Sequence, residues 1–200
     1  EKTPEALAAA DWAVQELSER RLERGEFELV VSELLDAAKL PFSSTRQREL
    51  RRDAACLCSD RLGDNQSAIQ LFNELLAEEP GDEVARASVT RLSLLLEEQG
   101  LHAEIVALWE AQAKARQERN DVAGAALLFA RAGENAEQRL SDRKRAIVNH
   151  EAGAKLGGEA SLSALARIFR EQGELPRAAD ALALLLSLEA TELIAERALE

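Results

Sequence analysis

The sequence predicts an all-α protein, an α-α superhelix (solenoid) of about five antiparallel helical hairpins plus a lone C-terminal helix. Three observations predict it. Alanine and leucine dominate a chain that is 46% hydrophobic but only 4% aromatic, with no tyrosine, and both are strong helix formers. Four prolines and ten glycines are too few to turn the many short strands of an all-β chain. A helix-ending signal also recurs along the chain, as it must in a repeat architecture.

That signal is a charged residue one or two positions before a glycine, followed by an acid or an apolar start. It stands at Arg24-Gly25-Glu26, Leu62-Gly63-Asp64, Gln99-Gly100-Leu101, Leu140-Ser141-Asp142 and Gln172-Gly173-Glu174. Glycine suits the place because the chain must pass through a left-handed residue to leave a helix and reverse. Ser141 takes that place in the fourth copy and predicts a less comfortable turn. The intervals are 38, 37, 41 and 32 residues. Two turn types alternate: a short one at Gly25, Gly100 and Gly173, and a longer Arg-Leu-Gly/Ser-Asp form near Gly63 and Ser141. The duplicated unit therefore reads as a pair of hairpins.

The hairpins follow in order within one repeat domain over 1–200. The first, 4–41, opens on Thr3-Pro4 and closes on Pro41. The second, 47–80, carries Ala68, Ile69, Phe72, Leu75 and Leu76 after its turn and closes on Pro80-Gly81. The third, 83–118, carries Ile105, Val106, Leu108 and Trp109. The fourth, 121–157, carries Ala146 and Ile147 and closes on Gly157-Gly158. The fifth, 159–189, carries Ala178, Ala179, Leu182, Leu185 and Leu186. Spacings of three, four and seven put each set on one helix face. A final helix, 191–200, presents Leu193, Ile194 and Leu199 as an apolar edge suited to self-association. With Glu1 rather than methionine at its start, the chain reads as a piece of a longer protein.

These residues resemble tetratricopeptide repeats of a divergent, bacterial type. Gly63, Ala68, Phe72 and Pro80 fall where that family places its turn glycine, small second-helix residue, second-helix aromatic and closing proline. Phe169, Gly173 and Ala178 do the same in the last copy, Phe129 and Gly133 match the first-helix pattern of the fourth, and Trp109 takes the aromatic site of the third. His150 takes that site in the fourth. The family's first-helix Trp-Leu-Gly-Tyr signature is mostly absent, and its 34-residue period is only approximated. The small residues let helices approach closely and the aromatics fill gaps between pairs, so neighbouring hairpins bury each other's stripes.

Composition closes off several functions. Net charge is −12, with 37 acids against 25 bases, which opposes nucleic-acid binding. The basic stretches 46–52 and 139–145 are interrupted and read as solvated helix ends. No apolar run approaches the roughly 20 residues of a membrane span, and no secretory signal opens the chain. Arginine outnumbers lysine twenty to five, as in a GC-rich bacterial genome, and a cytoplasmic setting is expected. Cys56 and Cys58, two apart on one helix, cannot pair with each other. They supply half of a zinc site at most, so no cofactor or metal is expected. His102 follows a turn and is expected in solvent, while His150 is expected as a hydrogen-bonded core residue. Without a nucleophile–base motif or phosphate loop, the expected role is not enzymatic.

Tetratricopeptide arrays line a concave face with their first helices. The resemblance therefore implies Arg52, Cys56, Thr90, Glu97, Glu134, Glu137, Arg167 and Arg170 as partner-binding positions, with Ser59, Leu94 and Ser163 beside them. Lysines and asparagines that clamp chaperone carboxylates in one subtype are replaced here by Arg52, Cys56, Thr90 and Leu94. The implied function is a scaffold or adaptor holding a peptide or partner protein on the concave face. The alternative is a regulatory sensor segment of a multidomain signalling protein.

Overall fold

A computed structural model describes residues 3–78 and 82–198, most of them helical. The helices are α1 (Pro4–Glu23), α2 (Phe27–Ala37), α3 (Ser44–Leu57), α4 (Asn65–Glu78), α5 (Glu83–Glu98), α6 (His102–Glu118), α7 (Val122–Gln138), α8 (Arg143–Lys155), α9 (Glu159–Glu171) and α10 (Leu175–Ala198). One π turn, Cys58–Leu62, extends α3. Among the described residues the order is helices in pairs with no strand, as the composition requires.

The reversals fall where the turn signals stand. Gly25, Gly63, Gly100 and Gly173 all have positive φ, and so does Ser141 at 54°. The two turn types differ by one hydrogen bond. In the short form, the amides of Glu26, Leu101 and Glu174 donate to carbonyls five residues back, on Arg21, Leu96 and Phe169, at 3.0, 2.8 and 2.9 Å. In the long form, Asp64 N donates to Cys58 O and Asp142 N to Ala136 O, six residues back, both at 2.9 Å. The extra residue is absorbed by widening the last helical turn, which is why α3 ends in a π turn. The acid after the long turn then caps the next helix: Asp64 Oδ1 accepts from Ser67 N at 3.1 Å and Asp142 Oδ1 from Arg145 N at 3.0 Å.

The chain forms two compact units, Glu1–Leu95 and Leu96–Glu200. The division falls inside α5 rather than at a turn, and no change of composition marks it. In the first unit α2 packs between α1 and α3, and α3 packs on α4. Its core holds Val30, Leu34, Leu50 and Ala54, with Ala68, Phe72 and Leu75 fully buried. In the second unit α6 to α10 pack each on the next. Its core runs from Val106, Ala132 and Ala146 through Ala113 and Phe129 to Leu165, Phe169 and Ala178.

Three details differ from expectation. Leu175 to Ala198 is one helix, so the segment after Thr191 continues α10 and does not start a new helix. Nothing in that alanine- and leucine-rich stretch breaks a helix. Pro80 and the side chains of Leu193, Ile194 and Leu199 lie outside the described residues. Among the described side chains of α10, Ala178 and Ala181 are buried, while Leu182 and Leu186 stay 48% and 64% exposed. Among the described residues α9 packs on α10, with Ile147 and Ala154 of α8 against the cluster that holds Ala178 and Ala181, so one side of the expected stripe has partners.

Candidate functional site

Two clefts open between first helices. In the first unit, α1 and α3 flank a cleft of about 560 Å³ floored by Val30 and Leu34 of α2. In the second, α7 and α9 flank one of about 330 Å³, floored by His150 of α8. Both have the same construction, a first helix, the second helix of its hairpin behind it, and the next first helix. The periodicity of the turns places them so.

The α1–α3 cleft is apolar within, with Val14, Leu22, Leu50 and Leu57, and polar at its rim. Its charges are largely self-neutralised. Arg46 donates through Nε to Asp11 at 2.8 Å and through Nη1 to Glu49 at 3.1 Å. Arg52 forks onto neighbouring Asp53 at 2.9 and 3.1 Å. Cys56 lines the cleft half-buried, and burial pushes its thiol above the ordinary range. Ser18, 8% exposed, lines the same cleft with its hydroxyl unpartnered.

The α7–α9 cleft is polar. Glu134, Glu137 and Gln138 come from α7, Arg167 from α9, and Ala130, Ala160 and Ala164 form smooth walls. Arg167 donates to Glu137 through both terminal nitrogens and from Nη1 to Glu171 Oε1 at 3.1 Å. The Arg167 hydrogen bonds outweigh desolvation and hold the Glu137 carboxyl below the usual range, with Arg167 and Arg143 adding charge attraction. Glu134 has no such cation; its carboxylate accepts only the Gln138 amide, at 3.1 Å. His150 is 3% exposed. Desolvation lowers its pKa against the opposing pull of Glu137 and Glu134, with Arg167 lowering it further, so the ring is neutral at pH 7.

His150 sits this deep because Gly133 faces it. A Cβ built on Gly133 would lie 2.7 Å from Cε1 and Nε2 of the ring. The expectation of a hydrogen-bonded core histidine needs correction: buried Nδ1 has no partner. The ring fills an aromatic's place against Gly133, and that site offers Nδ1 no hydrogen-bond partner. His102 is also not simply in solvent; it is half-buried, with Nδ1 3.7 Å from Glu97 Oε2.

Of the positions implied by the resemblance, the structure gathers Glu134, Glu137 and Arg167 in one cleft and puts Cys56 in the other. The rest stand apart. Arg52 is held by Asp53, Thr90 and Arg170 are exposed on their helices, and Glu97 binds Arg139 Nη2 at 3.1 Å. Sequence reasoning missed His150 as a cleft residue, because second helices were assigned to the core. The signal was present in the pairing of Gly133 with a ring at the aromatic site. It also missed a clip between α6 and α8, where Arg145 forks onto Glu110 at 2.9 and 2.8 Å and Asn149 Nδ2 reaches the same carboxylate at 2.7 Å. Among the described residues no helix is long and apolar enough to cross a membrane, and no three His, Cys, Asp or Glu side chains are grouped to hold a metal.

Helical hairpins with left-handed turn residues, small residues at the crossings and buried aromatics make this a divergent tetratricopeptide-type fold. No protein-family model matches the chain, and no curated protein does. Among solved structures, it is similar to BtubC (BKLC) from P. vanneervenii, at 15% identity over 94% of this chain and 83% of that one, with a TM-score of 0.47. It is also similar to MamA 41-end from Desulfovibrio magneticus RS-1, at 20% identity over 91% and 96%, TM-score 0.43. A putative kinesin light chain of Podosopora anserina with nearly identical TPR-like repeats matches at 19% identity over 90% and 95%, TM-score 0.43.

Proposed function

We propose that the chain is a protein-interaction scaffold whose first-helix clefts hold segments of a partner protein, and that its role is not catalytic. The observation that carries this is the pair of like-built clefts, α1–α3 over α2 and α7–α9 over α8. A slot between two parallel-running first helices accepts an extended peptide or one face of a helix. The arginines that line the clefts are bound in ion pairs, Arg46 with Asp11 and Glu49 and Arg167 with Glu137 and Glu171. Such fixed charges lining a slot suit recognition of a partner segment.

The test is selection of displayed random dodecapeptides on the whole chain, followed by NMR mapping of the enriched peptides. Shifts concentrated on α1 and α3, or on α7 and α9, are the expected result. Failure to enrich any peptide, or shifts confined to α2, α4 and α8, would overturn the proposal.

A further inference from the structure

We infer that the α7–α9 cleft receives a lysine or arginine side chain of the bound segment, with the Glu134 carboxylate as its counter-charge. The inference rests on the reading that first-helix clefts hold a partner segment, and it specifies the chemistry of that segment.

Charge accounting within the cleft leads there. Its one lining cation, Arg167, is already shared between Glu137 and Glu171. Its imidazole is neutral at pH 7 because burial opposes protonation. Of the two lining carboxylates, Glu137 is held by Arg167, and Glu134 touches only the Gln138 amide. One negative charge at the rim therefore stands uncompensated. An acidic side chain would meet Glu134 and Glu137 head-on and would have to pull Arg167 from two partners. A basic one finds its partner waiting.

The walls fit the same occupant. Ala130, Ala160 and Ala164 make a narrow apolar slot, which suits the methylene stem of lysine or arginine while the charged head reaches the rim. An independent observation comes from the floor. His150 lines the cleft at 3% exposure, and its Nδ1 is buried without a partner. Buried polar atoms are nearly always satisfied, so the unpartnered ring nitrogen of this lining residue offers a hydrogen bond to a segment seated in the cleft. The chain's −12 net charge steers a basic segment toward it.

The experiment repeats the dodecapeptide selection on three forms: the whole chain, Glu134→Arg, and Ala164→Trp, which fills the slot. Lysine or arginine should recur at one position in peptides that Ala164→Trp no longer binds. Fluorescence polarisation of such a peptide should show about fivefold weaker binding when that residue becomes norleucine, and the same loss with Glu134→Gln. Glu134→Arg should turn the preference toward acids. Circular dichroism checks that the variants keep their helix content. Peptides that lose binding with Ala164→Trp yet lack a basic residue, or bind Glu134→Gln equally well, overturn the inference and leave the scaffold reading standing. If Ala164→Trp changes nothing, the inference falls, and the scaffold reading survives only in peptides blocked by Cys56→Trp in the other cleft.

Discussion

Adding one methyl group at Gly133 puts the packing of α7 on α8 to a direct test. The new Cβ would sit 2.7 Å from His150 Cε1 and Nε2 and 2.8 Å from Cδ2. Ordinary carbon contacts are about 3.5–4.0 Å, so the ring must retreat by roughly 1 Å. With 3% of its surface exposed, it has little room to do so. Overpacking of this kind costs about 1–3 kcal/mol. Replacing a mid-helix glycine with alanine returns about 1 kcal/mol through helix propensity. Gly133→Ala is therefore expected to destabilise by about 1 kcal/mol net. In a His150→Ala background the clash is gone and only the propensity gain remains, so the same substitution should stabilise. That change of sign, a coupling of at least about 1 kcal/mol, is what a double-mutant cycle reads. Thermal unfolding followed by circular dichroism at pH 7.5 resolves it, at about 2–4 °C per kcal/mol for a chain this long. A Gly133→Ala chain that melts higher than the parent, or effects that simply add, would refute the close approach.

Four further outcomes are expected. Ser141→Gly should raise stability by about 0.5–1 kcal/mol, because glycine escapes the penalty of a φ of 54°; a lower melting temperature would show that the turn is not strained. Phe72→Ala, at a fully buried site, should cost about 3–5 kcal/mol, and an unchanged melt would remove Phe72 from the core. A thiol reagent should label half-buried Cys56 before buried Cys58, both slowly because burial raises both thiol pKa values; the opposite order would mean that the helix register is wrong. Stability should also fall as the pH drops below about 6.5. His150 titrates below its ordinary 6.5 in the folded chain, so in that window the unfolded chain takes up a proton that the folded one refuses. The paired carboxylates Glu110 and Glu137, depressed from 4.5, add their losses only at more acid pH. His150→Gln should flatten the limb just below pH 6.5, and persistence of the slope would place the titration elsewhere.

The class of fold and the position of every first-to-second-helix turn were legible in the sequence. So was the alternation of two turn types, which the structure resolves into a five-residue and a six-residue hydrogen-bonded closure. These features are local: a left-handed residue, a capping acid and an apolar stripe each act within a few residues. Small and aromatic packing positions could also be read, because Ala68, Phe72, Phe129, Gly133, Phe169 and Ala178 are buried where the pattern puts them.

Composition and spacing thus settled the helical class, where the hairpins reverse and which small and aromatic residues pack between them. Folding in three dimensions decided the rest. Arg167 meets Glu137 from 30 positions away, Arg145 meets Glu110 from 35 away, and His150 reaches the cleft floor only because Gly133 has no side chain to stop it. Turns are written in short-range backbone geometry, whereas a cleft's charge and depth depend on which side chains of separate helices come to lie within a few ångströms of one another.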